Sequence, residues 1–162
     1  MSSLRKYIEK LSEYLDKACR GALFVALVSM IVVITAQVIF RVFFTALSWT
    51  EELSRYLLVW ATFLGTAVAF KKGAHIAVTF AVDALPETLH KIVRFCSCCF
   101  MAIFFGVTIW YSIYLFNVQV FQVSPAIGIK MRYVYTVIPL SFAVMSVHLV
   151  TQMFQLFQKE SK

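Results

Sequence analysis

The sequence predicts an all-α integral membrane protein with four transmembrane helices, an N-terminal amphipathic interfacial helix and an interfacial segment between spans two and three. Hydrophobic residues make up 61% of the 162-residue chain and charged residues only 14%, whereas about a quarter of the residues in a soluble domain are charged. Three uncharged runs are long enough to cross a hydrocarbon core of about 30 Å as helices. They are residues 21–40, 95–129 and 133–158.

These runs, with a fourth argued below, divide the chain into segments of one membrane domain, residues 1–162. The predicted segments are, in order, the amphipathic helix (1–20), span one (21–44), span two (50–70), the interfacial segment (74–91), span three (92–118) and span four (133–158). The interfacial segment has too few consecutive apolar residues to cross the membrane.

The first segment has apolar residues at helical spacing and charged residues mostly on the opposite face. The apolar positions are Leu4, Tyr7, Ile8, Leu11, Leu15 and Ala18. A helix with one apolar and one charged face lies in the plane of the membrane surface. We therefore expect residues 1–20 to rest on the inner surface of the membrane.

The second span must begin before the charged residues that precede its apolar part. Residues 56–70 are uncharged, but as a helix they are only about 22 Å long, which is shorter than the hydrocarbon core. A helix over residues 50–70 is about 31 Å long and places Glu51, Glu52 and Arg55 in its first turn and a half. Carboxylates at this position interact favourably with the helix dipole.

The connection between spans one and two carries a candidate charge cluster. Arg41 ends span one at the same membrane face as Glu51 and Glu52, and each carboxylate is three or four residues from Arg55, so either can reach the guanidinium. Ionisable groups near the hydrocarbon core are usually paired or functional, although ordinary solvated charges fit the spacing equally well. We also expect Ser48 or Thr50 to cap the helix. The candidate structural or subunit-interface residues are Arg41, Trp49, Glu51, Glu52 and Arg55.

Span two also carries small residues at every fourth position, namely Ala61, Gly65 and Ala69. Small residues on one face let helices approach closely in lipid. The stripe predicts helix packing, either within this chain or against another subunit.

The distribution of basic residues predicts the orientation of the chain. Eleven of the 15 lysines and arginines fall in the N-terminal segment, the connection after span two and the C-terminal tail. The positive-inside rule places these regions, and both termini, in the cytoplasm. Lys71, Lys72 and His75 are then predicted to lie at the cytoplasmic membrane interface. The net charge of +7 is thus explained by topology, without nucleic-acid binding.

Span four contains a proline and a histidine within its apolar run. Pro139 lacks an N–H group and is expected to bend the helix, and a lone mid-span histidine such as His148 is more often hydrogen-bonded to a neighbour than a ligand. No predicted span interior carries an acidic residue that would relay a proton or bind an ion. We expect neither enzymatic activity, nor a cofactor, nor a metal site, and by itself the chain is poorly equipped for transport.

Two stretches of the chain together form a recognisable pattern. One is SPAIGIKMRYVYTVIPLSF, residues 124–142. The other, earlier in the chain, contains Trp49, Glu51, Glu52, Arg55, Tyr56, Trp60, Phe63, Leu64, Gly65, Lys72, Gly73, His75 and Ile76. Both resemble the small membrane subunit, of the DctQ or SiaQ type, of tripartite ATP-independent periplasmic (TRAP) transporters. The basic pair Lys130 and Arg132 departs from that family's pattern.

The resemblance implies a three-part uptake system in the bacterial inner membrane. A periplasmic substrate-binding protein captures a carboxylate solute, such as a C4-dicarboxylate or a sialic acid. A large membrane subunit holds the substrate and sodium sites, and the small subunit packs against it as fixed scaffold. Two alternatives are a stand-alone four-helix transporter and a membrane anchor of a respiratory enzyme; the anchor requires paired histidines for haem in facing spans.

Overall fold

The computed structural model describes residues 2–72 and 87–159 of the chain. Within them lie five helices, α1 (Ser2–Phe43), α2 (Ser48–Lys71), α3 (Glu87–Val118), α4 (Met131–Tyr135) and α5 (Val137–Lys159). Four helical stretches are long and apolar enough to cross a membrane, namely Tyr7–Phe43, Ser48–Lys71, Phe95–Val118 and Met131–Met153. The predicted all-α architecture with four spans is therefore confirmed.

Helix α1 is continuous from Ser2 to Phe43, where the sequence predicted two separate segments. Both segments have helical periodicity, and between them stands only Gly21, which costs about 1 kcal/mol in a helix and does not end it. The predicted charged face of residues 1–20 is not entirely solvated, because Ser12 and Asp16 are buried while Tyr7 on the apolar face is exposed. The position of this part of α1 on the membrane surface stays a prediction.

Helix α2 begins at Ser48, two residues before the predicted start of span two. The residue in the cap position is Leu47, and it makes no side-chain cap hydrogen bond, so the prediction of a Ser48 or Thr50 cap was wrong. The Thr50 hydroxyl instead donates to the Leu47 carbonyl at 2.7 Å. Thr50 is completely buried, and this hydrogen bond offsets the cost of burying its hydroxyl.

Helix α5 is the centre of the bundle and contacts α1, α2 and α3. Half of the most apolar window of span four is buried within the chain, compared with 6% for span one. The buried side chains of α5 recur every three or four residues, as expected for a helix face that packs on neighbours. They are Val137, Ser141, Val144, Met145, His148, Leu149 and Thr151.

Aromatic rings fill the space between α5 and its neighbours. The ring centroid of Phe142 lies 6.3 Å from Phe63 of α2, 5.8 Å from Phe104 and 5.6 Å from Phe105 of α3. Phe70 of α2 meets Phe105 edge-on at 5.3 Å. Tilted and edge-on rings at these distances attract one another, so Phe142 ties three helices together.

The fourth span is interrupted near its start. Helices α4 and α5 are separated by Thr136, three residues before Pro139. Because proline has no N–H, the carbonyl of Tyr135 lacks its usual donor four residues on. The interruption lies within one turn of Pro139, and the bend itself stays a prediction.

The predicted interfacial segment, residues 74–91, is tested only at its end. Residues 74–86, with His75 among them, lie outside the described part of the chain, and residues 87–91 belong to α3. Span three is therefore extended by a helical start that precedes residue 92.

Candidate functional sites at the two ends of the bundle

The connection between α3 and α4, residues 119–130, forms a compact turn that we call the 119–130 loop. Val123 and Lys130 pair as an isolated antiparallel bridge, and the N–H of Ser124 donates to the carbonyl of Ile129 at 2.9 Å. Gly128 has φ = 77°, a left-handed conformation that favours glycine. The turn therefore has a defined backbone shape at the end of the bundle where α1 also joins α2. We call this end the hairpin end.

Glu52 holds the 119–130 loop against α2. Its Oε2 accepts hydrogen bonds from the backbone N–H groups of Ala126 at 3.0 Å and Ile127 at 3.1 Å. Its Oε1 accepts a hydrogen bond from the hydroxyl of Tyr56 at 2.7 Å. Hydrogen bonds to an ionised acceptor are about twice as strong as neutral ones. Glu52 therefore joins α2 to the connection between the third and fourth spans.

The other predicted charges at the hairpin end do not join Glu52 in one network. Arg55 donates to Glu51 one turn away on α2, and their side chains are 72% and 59% exposed. Arg41 is exposed, and within residues 2–72 and 87–159 it forms no ion pair. Trp49 is 43% exposed. The roles of these residues toward a partner remain predictions.

At the opposite end, four polar residues from three helices form a buried group that we call the Asp16 cluster. Its members are Ser12 and Asp16 of α1, Lys71 of α2 and His148 of α5. The Ser12 hydroxyl lies 2.8 Å from His148 Nδ1, and Lys71 Nζ donates to the Ser12 carbonyl at 3.0 Å. Lys71 Nζ is also 3.5 Å from Asp16 Oδ2, which accepts a second bond from Arg20.

The Asp16 cluster is buried and its charges are paired. Ser12, Asp16 and His148 are 3%, 4% and 1% exposed, and the Lys71 side chain is 23% exposed. A desolvated charge is stable only when paired, and Asp16 has two cationic partners. The cluster therefore fixes the first part of α1 against α2 and α5.

Sequence reasoning found only part of this cluster. His148 was predicted to be hydrogen-bonded to a neighbour, and the Ser12 contact confirms it. Lys71 was predicted as a membrane-interface residue and Asp16 as part of a charged face, and their pairing was missed. The available signal was the spacing of Ser12 and Asp16, which are four residues apart and share one face of a helix. Lys72, in contrast, is exposed.

The small-residue stripe of α2 contacts α1 at its middle position. A methyl group added at Gly65 would lie 3.9 Å from both terminal carbons of Leu23, which is ordinary van der Waals contact. Ala61 is buried, whereas Ala69 is exposed. The stripe was predicted to pack either within this chain or against another subunit. At Gly65 the packing is within the chain, whereas Ala69 is exposed.

Comparisons with known proteins place this architecture in a family. Residues 30–159 match the family described as tripartite ATP-independent periplasmic transporters, DctQ component. A putative TRAP transporter small permease protein of Haemophilus influenzae (strain ATCC 51907 / DSM 11121 / KW20 / Rd) is 29% identical over 160 residues, which cover 96% of this chain and 99% of that protein.

Two further relatives are much longer than this chain. The sialic acid TRAP transporter permease protein SiaT of Haemophilus influenzae (strain 86-028NP) is 31% identical over 141 residues, covering 83% of this chain and 21% of that protein. The isethionate TRAP transporter permease protein DctMQ of Oleidesulfovibrio alaskensis (strain ATCC BAA-1058 / DSM 17464 / G20) is 30% identical over 133 residues, covering 76% and 21%. This chain thus matches about a fifth of the length of each.

The family match, the full-length similarity to a small permease protein and the four apolar helices agree with one another. The protein is a multi-pass membrane protein and a transporter subunit rather than an enzyme. The chain belongs to the DctQ family, the small permease components of tripartite ATP-independent periplasmic transporters.

Proposed function

We propose that this chain is the small scaffold subunit of a sodium-coupled, binding-protein-dependent secondary transporter, and that it packs against a large transport subunit. The observation that carries the proposal is that the buried polar groups of the Asp16 cluster bind one another. Asp16 is paired with Lys71 and Arg20, and Ser12 is bonded to His148, so these groups hold helices together. Sodium and substrate sites then belong to the partner, and this chain needs no cofactor.

The lengths of two relatives support a large partner. In SiaT and DctMQ the region similar to this chain is 21% of a single longer permease protein. Each of these relatives therefore joins such a region to a much longer one in the same polypeptide. The first span of this chain also has little of its surface covered, with 6% of its most apolar window buried. Lipid and the large subunit together would cover that surface.

The substrate we propose is an organic acid. The names of the relatives specify sialic acid and isethionate, a carboxylate and a sulfonate respectively, and the resemblance described above adds C4-dicarboxylates. All are organic anions, which a periplasmic substrate-binding protein would deliver to the membrane subunits.

The distribution of basic residues supports a place in the bacterial inner membrane with both termini in the cytoplasm. The Asp16 cluster is then at the cytoplasmic end. The hairpin end, with Glu52 and the 119–130 loop, faces the periplasm and the binding protein.

The two alternative functions gain no support from the structure. A haem-holding respiratory anchor requires paired histidines in facing spans, but the four apolar helical stretches of the described residues contain a single histidine, His148. A stand-alone transporter requires an unengaged ion-binding group within a span, and Asp16 is paired with two cations.

Reconstitution tests the proposal directly. Proteoliposomes containing this chain, its large subunit and a loaded binding protein should take up the organic acid under an inward sodium gradient. Liposomes with this chain alone, and liposomes with the large subunit alone, are the controls, and neither should show uptake. Sodium-dependent uptake by this chain alone would contradict the scaffold role.

A further inference from the structure

Arg132 is held between two aromatic rings at the hairpin end. Its guanidinium carbon lies 5.1 Å from the ring centroid of Phe116 on α3 and 4.9 Å from that of Tyr133. Its Nη2 donates to the Tyr133 hydroxyl at 3.2 Å. A guanidinium over an aromatic face is attracted by the ring quadrupole. The charge of Arg132 is therefore positioned between the end of α3 and the start of α4.

This positioned cation has no carboxylate partner in the described part of the chain. The sequence contains no aspartate or glutamate between Glu87 and Glu160. Glu52 does reach the 119–130 loop, but it binds the backbone of Ala126 and Ile127. Lys130, two residues before Arg132, is exposed and adds a second positive charge.

Most hydrogen-bonding capacity of Arg132 is unused. A guanidinium has five N–H donors, and in the described residues one bond, from Nη2 to Tyr133, is formed. Nε is buried without a partner, so an incoming group meets the edge formed by Nη1 and Nη2. That edge suits two oxygens of one anion, because a guanidinium binds phosphate with two parallel hydrogen bonds.

The surroundings of the basic pair are apolar. Arg132 is the second residue of the fourth span, which begins at Met131, so it lies at the membrane boundary. On either side of the pair in the sequence, Ile129 and Tyr133 are 39% and 51% exposed. A long basic side chain at such a boundary directs its charge toward the headgroups while apolar neighbours stay in the hydrocarbon.

We propose that Arg132, assisted by Lys130, binds the phosphate of an anionic phospholipid at the hairpin end. Acyl chains cover the exposed apolar side chains, which a free phosphate ion cannot do, and the headgroup phosphate pairs with the Nη1–Nη2 edge. Two positive charges without a carboxylate favour a lipid of net negative charge over a zwitterionic one. The site requires only that the four helices span a membrane and is independent of the transport role.

Native mass spectrometry of the purified full-length chain measures this site. Detergent-solubilised protein is titrated with phosphatidylglycerol or phosphatidylcholine, and the apparent Kd of the first bound lipid is determined. Wild type should bind phosphatidylglycerol more tightly. Arg132→Gln should weaken that binding about fivefold, since one basic residue near an anionic membrane surface contributes about that factor. Arg41→Gln is the matched control, because Arg41 is exposed at the same end, and its Kd should stay near wild type.

Two further arms complete the test. Arg132→Lys keeps the charge but loses the planar fork, so it should lie between wild type and Arg132→Gln, and it serves if the glutamine variant does not fold. Water-soluble glycerol phosphate should compete poorly, because it has no acyl chains. An unchanged Kd in Arg132→Gln, an equal loss in Arg41→Gln, or equal binding of glycerol phosphate and phosphatidylglycerol would overturn the lipid site. If the Kd is unchanged in Arg132→Gln, the guanidinium would instead be assigned to a carboxylate of a partner protein.

Discussion

The carboxylate of Glu52 accepts a hydrogen bond from the backbone N–H of Ala126, at 3.0 Å, although the two residues are 74 positions apart. The neighbouring N–H of Ile127 shares the same oxygen. One side chain at the start of the second span therefore shapes the loop that leads into the fourth span. This contact makes Glu52 different from Glu51, which pairs with Arg55 at an exposed site on its own helix.

The two adjacent glutamates should therefore respond differently to substitution. Glu52→Ala removes the carboxylate that accepts from both loop amides, so their hydrogen–deuterium exchange should accelerate. The effect should be larger at Ala126, because the Ile127 N–H also donates to the Ser124 hydroxyl at 3.3 Å. Glu51→Ala is the matched control and should leave the exchange of the loop unchanged, because an exposed ion pair contributes little. Equal exchange in wild type and in Glu52→Ala would show that the loop keeps its shape without this carboxylate.

The extent of the helices was predictable because bilayer thickness sets them. The uncharged runs located spans one, three and four, and the shortness of residues 56–70 placed the charged start of α2 within a helix. The boundary predicted between residues 1–20 and span one was wrong. Both segments have the same helical period and no proline separates them, so α1 runs through both. Helix period and length were thus sufficient to predict the four apolar helices.

The polar contacts were less predictable because they depend on tertiary structure. Ser12 and His148 are 136 residues apart, and neither position has a pattern that identifies the other. Glu52 was singled out as a charge at the predicted membrane boundary, but its partners in the 119–130 loop are backbone amides, whose positions no side-chain pattern encodes. Arg41 was expected to meet Glu51 and Glu52 because all three were placed at the same membrane face. Among the described residues Arg41 forms no ion pair, so a shared depth in the membrane did not predict a contact.

The pairing of Asp16 with Lys71 predicts a non-additive effect on stability. Asp16→Ala leaves Lys71 without its carboxylate, and because Lys71 retains 23% exposure we expect a loss of about 1–3 kcal/mol, below the range for fully buried pairs. Asp16→Ala combined with Lys71→Met should cost less than the two single losses added. The measurement is the free energy of unfolding from titration with a denaturing detergent.

Glu13→Ala is the control for these variants, because Glu13 is exposed on the same helix. It should change the free energy of unfolding by less than about 0.5 kcal/mol. Additive single effects would show that Asp16 and Lys71 do not interact energetically.

The Ser12–His148 hydrogen bond predicts a smaller contribution. Ser12→Ala should lower the free energy of unfolding by about 0.6 kcal/mol, the mean for hydrogen bonds between membrane helices, and by no more than about 1.7 kcal/mol. Ser146→Ala is the matched control, because the Ser146 hydroxyl donates to the Phe142 carbonyl of its own helix at 2.8 Å and, among the described residues, forms no hydrogen bond to another helix. A loss in Ser146→Ala as large as that in Ser12→Ala would argue against a specific interhelical bond.

The proposed orientation predicts the results of reporter fusions. Reporters fused after residues 44, 72, 122 and 162 should read periplasm, cytoplasm, periplasm and cytoplasm, because eleven of 15 basic residues lie on the predicted cytoplasmic side. A fusion after residue 72 is the most informative, since span two has the lowest mean hydropathy of the four. A periplasmic result there would mean that α2 does not cross the membrane.

The exposed pair formed by Glu51 and Arg55 predicts whether a partner covers the hairpin end. An exposed i,i+4 pair is worth about 0.3–0.5 kcal/mol, so neither Glu51→Ala nor Arg55→Ala should alter the fold of the chain. If the large subunit buries the pair, each single substitution leaves a desolvated charge without its partner and should reduce copurification with the large subunit. The double substitution should then be less harmful than the two single effects added.

The measured quantity is the yield of the complex relative to the isolated chain, with Arg41→Ala as a comparison, since Arg41 has no ion pair among the described residues. Wild-type yield for every one of these variants would show that the pair stays solvated in the assembled transporter and only marks the edge of the membrane.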